Sequence, residues 1–163
     1  MFRTLAALLL LATPAAAETL EAHVHGHARL TLAVDGDTVT VEVESPAESI
    51  VGFETEPKTD EERAAMRDAE AALLRPETLF TFPEAAGCAA ADKRVEVERE
   101  GEHAEFHATY TFRCADISAV TSMDTALMER FETMEEIDVE FATPAGQGAA
   151  ELERGETRVS LTN

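Results

Sequence analysis

The stretch LTLAVDGDTVTVEV at residues 30–43 sets the fold class of this chain. Apolar and polar residues alternate on both sides of Asp35-Gly36-Asp37, and a period of two is typical of half-buried strands. Asp-Gly between two alternating runs is a strong signal for a tight hairpin turn. The stretch therefore predicts an antiparallel hairpin with one apolar face and one polar face.

The rest of the chain predicts further strands and two short helices. Thr59 with Glu62 three residues later is a capping box, and helical spacing follows it as far as Arg75-Pro76. A second short helix is expected at residues 125–131. Further strands are predicted at residues 79–82, from Val95 onward, through residues 103–112, at 136–141 and at 158–162. We therefore expect a single α+β domain, mainly an antiparallel β-sheet with two short helices.

All five histidines lie in two blocks that follow the strand period. The blocks are His23-Val24-His25-Gly26-His27 and His103-Ala104-Glu105-Phe106-His107. In a strand, successive side chains point to opposite faces, so these imidazoles are expected to point away from the apolar face. The candidate metal ligands are His23, His25, His27, His103, His107 and Glu105.

The spacing within each block limits which histidines can share one ion. Histidines two residues apart on a strand lie ~6.8 Å apart and can lean onto one zinc, whereas His103 and His107 lie ~13.6 Å apart. The expected site therefore combines a pair from the first block with one histidine or Glu105 from a neighbouring strand. His25 belongs to both possible pairs and is the first candidate. Imidazole ligands favour zinc, and copper(II) remains open.

The charge of the chain excludes some partners. The sequence has 33 acidic and 13 basic residues, for a net charge of −20. Such a surface repels nucleic acid and anionic membranes and concentrates cations, although it also serves solubility.

The amino-terminal residues have the pattern of an export signal. Arg3 precedes an apolar stretch at residues 5–12. The small residues Ala15-Ala16-Ala17 then have the pattern of a signal-peptide cleavage site. The apolar stretch is shorter than the ~20 residues needed to span a bilayer. We expect residues 1–17 to be a signal peptide and residues 18–163 to form one soluble exported domain.

Cys88 and Cys114 are the only cysteines of the chain. Export would place them in an oxidising compartment, so a disulfide is the first interpretation. Zinc binding by the pair is the alternative, which the absence of a C-x-x-C spacing disfavours.

The sequence gives little support to an enzyme. The block at residues 103–107 has its Glu one position too late for the H-E-x-x-H of a metalloprotease, and neither G-x-S-x-G nor a phosphate-binding glycine loop occurs. We expect a protein that is not an enzyme. A metal-dependent hydrolase or hydratase is the alternative, and it would need a dry pocket with an open coordination position.

Several motifs together resemble one known family. They are AHVHGHARL at 22–30, ESPA at 44–47, IVGFE at 50–54, His103 with Glu105-Phe106, YTFRC at 110–114, IDV at 137–139 and TPAGQGA at 143–149. This set, which extends over essentially the whole mature chain, resembles the zinc-regulated periplasmic zinc-binding protein family.

The resemblance implies a periplasmic protein, made when zinc is scarce, that captures or buffers zinc. It also implies a partner, the periplasmic component of a high-affinity zinc uptake (ABC) transporter. Many members carry a long His- and Asp-rich tract before the second histidine strand, whereas residues 93–102 are short and acid-rich here. We therefore expect one or two zinc sites. A copper-binding envelope protein remains a further alternative.

Overall fold

The predicted hairpin is the centre of the larger sheet. The computed structural model describes residues 25–162 of the chain. In it, β1 (His27–Asp35) and β2 (Thr38–Pro46) pair antiparallel, with Leu32 opposite Val41, and the turn lies at Gly36. The residues on the apolar face of both strands are buried, apart from the half-buried Val34 near the turn, because alternation gives the hairpin one apolar face. The hairpin prediction is confirmed.

Two sheets make up the β-structure of the described residues. The remaining strands are β3 (Phe80–Thr81), β4 (Ala89–Glu100), β5 (His103–Arg113), β6 (Ser122–Thr125), β7 (Glu136–Thr143), β8 (Gly146–Glu153) and β9 (Arg158–Ser160). The larger sheet has the order β4-β5-β2-β1-β7-β8, and the smaller has the order β3-β6-β9. All pairings are antiparallel except that of β1 with β7. The predicted α+β class with a mainly antiparallel sheet is confirmed.

The helices are α1 (Ala47–Val51), α2 (Asp60–Leu73), α3 (Pro76–Leu79) and α4 (Leu127–Arg130). The capping box predicted for α2 is present, with Glu62 N–H donating to Thr59 Oγ1 at 3.1 Å. The single-turn helices α1 and α3 were not predicted, because four or five residues are too few to show a helical period. Strand β6 occupies the start of the segment predicted as the second helix, which is reduced to α4.

The core lies between the inner face of the larger sheet and the elements that cover it. Phe80 of the small sheet packs on Tyr110 and Phe112 of β5, with ring centroids 5.3 and 6.4 Å apart.

The predicted disulfide between Cys88 and Cys114 is present, with Cα atoms 3.9 Å apart, and it joins the start of β4 to the end of β5. Among the described residues, no helix is long and apolar enough to cross a membrane.

Strand direction brings distant segments of the chain to one end of the larger sheet. Both β1 and β5 run antiparallel to β2, and β7 runs parallel to β1. The starts of β1, β5 and β7 therefore lie together at His27, His103 and Glu136. We call this the histidine end of the sheet. The opposite end, which carries the Cys88–Cys114 bond, is called the disulfide end.

Candidate metal centre

The first histidine block does not form one continuous strand. Strand β1 begins at His27, while His25 and Gly26 form a turn, so the expected alternation of His25 and His27 on one strand face is wrong. The physical reason is Gly26, whose φ of +83° is incompatible with extended backbone. His23 lies outside the described residues.

Gly26 is held in this turn by two neighbouring elements. Its N–H donates to the buried Ser49 Oγ of α1 at 3.0 Å. Its carbonyl accepts from the N–H groups of Glu135 and Glu136 at 2.6 and 3.1 Å. These bonds fix the backbone on which the imidazoles of His25 and His27 are mounted.

The two histidine blocks meet at one carboxylate, that of Glu54. His25 Nε2 lies 3.3 Å from Glu54 Oε1, and His103 Nδ1 lies 2.5 Å from Glu54 Oε2. The Glu54 side chain is only 12 % exposed, while the two imidazoles are 61 % and 59 % exposed. Glu54 follows the short helix α1, and its contacts with His25 and His103 place its carboxylate between the starts of β1 and β5. We call these three residues the Glu54 site.

One oxygen of the Glu54 carboxylate has no hydrogen-bond donor among the described residues. Glu54 Oε1 is buried and accepts no hydrogen bond from any residue between 25 and 162, although His25 faces it. Two ligand atoms on a tetrahedral zinc lie ~3.3–3.6 Å apart, given Zn–N and Zn–O bonds of ~2.0–2.2 Å. The 3.3 Å separation from His25 Nε2 matches that spacing. Imidazole nitrogen and carboxylate oxygen are both ordinary zinc ligands, so the residue types fit the ion. His25 and His103 contact different oxygens of Glu54, and the three residues do not offer ligand atoms that all lie within 4.8 Å of one another, so side-chain rotation is needed to bring both imidazoles onto one zinc.

His27 lies on the other side of β1, next to β7. His27 Nδ1 is 3.2 Å from Glu136 Oε1. With Asp138, these residues form the one group of three or more metal-ligand side chains in the described chain whose ligand atoms all lie within 4.8 Å of one another. His27 is therefore separated from the Glu54 site, although only Gly26 lies between it and His25.

His107 and Glu105 form a third arrangement on the outer face of the sheet. His107 Nε2 is 3.2 Å from Glu105 Oε2 and 3.8 Å from Glu98, while its Nδ1 is 3.8 Å from Glu44. Glu105 thus contacts His107, whereas His25 and His27, the described members of the first histidine block, contact Glu54 and Glu136. His103 and His107 occupy different places, as their spacing on a strand predicted.

The structure adds acidic residues that the sequence reasoning missed, namely Glu44, Glu54, Glu98, Glu136 and Asp138. Glu54 has no periodicity signal, since it follows an apolar run in a loop; its only signal was its place at the end of the IVGFE motif. Glu136 and Asp138 did alternate on a predicted strand. Their proximity to His27 depends on the β1–β7 pairing, and the two strands are too distant in sequence for local pattern to reveal it.

Comparison with protein families identifies the family of this chain. A family model described as "ZrgA family zinc uptake protein" matches residues 22–161, which include both histidine blocks and Glu54. The chain belongs to this family. The resemblance inferred from its motifs is thereby confirmed, and family membership indicates a role in zinc uptake. No curated protein matches the sequence.

Proposed function

We propose that this member of the ZrgA family is an exported periplasmic protein that captures or buffers zinc. It would then pass the ion to the periplasmic component of a high-affinity zinc ABC transporter. The observation that carries the proposal is the convergence of His25 and His103, from blocks far apart in sequence, on the buried carboxylate of Glu54. The signal-peptide pattern and the Cys88–Cys114 disulfide support export.

The ligand set supports binding with exchange. Two imidazoles and one carboxylate leave a zinc position open for water, for His23 or for a ligand from a receiving protein. Because both imidazoles are more than half exposed, the ion would face solvent and a partner could reach it. The alternative of a hydrolase or hydratase needs the reverse, an ion enclosed in a dry pocket. We therefore assign this site to capture and transfer, without turnover.

Zinc is the proposed ion, and copper is the alternative to be tested. Both cysteines are bonded to each other, so no thiolate is available among them to select copper(I). Copper(II) binds nitrogen and oxygen sites more tightly than zinc does in general, so affinity alone cannot separate the two. The metal content of protein purified from the periplasm separates them. Zinc in that preparation supports the proposal, whereas copper without zinc contradicts it.

The direct test of the site is calorimetric titration of the exported chain with zinc. Glu54→Gln keeps the size of the side chain but removes its charge and one ligand oxygen. We expect it to weaken the tightest zinc-binding event at least tenfold, which corresponds to about 1.4 kcal/mol. Glu56→Gln is the matched control, because Glu56 lies two residues later in the same loop and is exposed. Unchanged binding by Glu54→Gln, or an equal loss in Glu56→Gln, would contradict the assignment.

A further inference from the structure

We propose that His27, Glu136 and Asp138 form a second divalent-cation site, separate from the Glu54 site, that binds both zinc and manganese(II). We call it the β1–β7 site. His27 Nδ1 and Glu136 Oε1 are 3.2 Å apart, and all three ligand atoms lie within 4.8 Å of one another. Ligand atoms around one tetrahedral ion lie ~3.3–3.6 Å apart, so small side-chain rotations would close the three onto a cation.

The backbone of this site is fixed by strand pairing. In the parallel register His27 is the partner of Glu136, and Arg29 is the partner of Asp138. Register partners project to the same face of a sheet, so all three ligands lie on the outer face. The Gly26 carbonyl, bonded to the N–H groups of Glu135 and Glu136, adds a further tie directly before His27. Ligands mounted on paired strands inside a sheet are held more precisely than ligands on a loop.

The β1–β7 site and the Glu54 site do not share a ligand. The Glu54 site lies on the side of β1 that faces β2 and β5, whereas Glu136 and Asp138 belong to β7 on the opposite side. Each site has its own carboxylate in contact with its own histidine, His25 with Glu54 and His27 with Glu136. Removing the acidic ligands of one site therefore leaves the donor atoms of the other in place.

The donor set of the β1–β7 site differs in chemistry from that of the Glu54 site. It offers one imidazole and two carboxylates, and oxygen-rich sites suit manganese(II) better than sites dominated by imidazole. The guanidinium of Arg29 belongs to the same outer face, next to Asp138 in the register, and its charge opposes cation binding. We therefore expect the β1–β7 site to bind zinc less tightly than the Glu54 site and to discriminate less between metals.

The test is a titration of the full exported chain with manganese(II). Electron paramagnetic resonance monitors it, because the signal of free manganese falls as the ion binds. Wild type is expected to bind one equivalent. The variant Glu136→Gln/Asp138→Asn is expected to bind it at least tenfold more weakly, and His27→Gln is expected to weaken it as well. Zinc added to the wild-type complex should release the manganese.

The matched control is Glu42→Gln/Glu140→Gln, which removes two charges from the same outer face beside Thr31. This control and Glu54→Gln should both bind manganese as wild type does. The proposal is overturned if wild type leaves manganese free, if the Glu136→Gln/Asp138→Asn variant binds it normally, if the control loses as much, or if zinc releases none. Because Glu54→Gln tests only the Glu54 site, a failure here is distinct from a failure of the proposed zinc-capture function.

Discussion

The two ends of the six-stranded sheet are held by different chemistry. At the disulfide end, Cys88 and Cys114 are covalently joined, and the N–H of Cys114 donates to the carbonyl of Asp37 at 2.9 Å. Arg113 pairs there with Asp37 at 3.0 Å. The hydrogen bond from Thr38 and the charge of Arg113 hold the pKa of the Asp37 carboxyl below its usual value. At the histidine end, imidazoles contact carboxylates, and no covalent bond links the described segments there.

This difference separates stability from binding. The disulfide end connects β4, β5 and the β1–β2 turn with groups that have no role in the proposed metal sites. The histidine end can then present exposed imidazoles and partly unsatisfied carboxylate oxygens, which contribute little to stability by themselves. Changes at one end are therefore expected to affect stability, and changes at the other to affect zinc affinity.

The largest expected effect on stability comes from the disulfide end. Cys88→Ser/Cys114→Ser should lower the free energy of unfolding by about 2–4 kcal/mol, because the bond restricts the unfolded chain. Urea unfolding of the oxidised wild type and the variant measures this loss. Zinc titration at a temperature where the variant is folded should give wild-type affinity. A large loss of zinc affinity in the folded variant would show that the two ends are not independent.

A smaller loss is expected from the contact that holds the histidine turn. Ser49→Ala leaves the N–H of Gly26 without its acceptor, and an unsatisfied buried group costs about 1–3 kcal/mol. Since Gly26 positions His25, the variant should also bind zinc more weakly, whereas the cysteine variant should not. Ser49→Ala is thus expected to lower both the free energy of unfolding and the zinc affinity. Urea unfolding measures the first and zinc titration of the same preparation measures the second.

Ser45→Ala is the control for this prediction. Ser45 is equally buried, but its hydroxyl makes only longer contacts, with the carbonyls of His27 at 3.5 Å and Pro46 at 3.3 Å. We expect a smaller effect on stability and none on zinc affinity. If Ser45→Ala and Ser49→Ala weaken zinc binding equally, the turn is not what positions His25.

The sequence predicts those parts of the molecule that depend on neighbouring residues. The β1–β2 hairpin follows from its alternation and its Asp-Gly turn, and the start of α2 follows from Thr59 and Glu62. The disulfide follows from there being only two cysteines in a chain with an export signal. In each case the deciding information lies within a few residues or in the composition.

The structure of the histidine end depends on contacts between residues that are far apart in the sequence. A regular strand through His25 was expected from the period alone, but Gly26 is turned by Ser49 and by the start of β7. Strand β8 was not predicted, since Gly, Ala and Glu dominate it and its apolar pattern is weak. Glu54 was missed because nothing local distinguishes a ligand carboxylate from the many other acidic residues of this chain.

The central claim is that the two histidine blocks act together through Glu54, and a double-mutant cycle of zinc affinity tests it most directly. His25→Ala should weaken the tightest zinc-binding event at least tenfold, about 1.4 kcal/mol, and more than His103→Ala or His107→Ala does. The changes at His25 and His103 should be non-additive by about 0.5–3 kcal/mol, as for groups that share a partner. Those at His25 and His107 should add within about 0.5 kcal/mol. Wild-type zinc binding by His25→Ala, or simple additivity of His25→Ala with His103→Ala, would contradict the account.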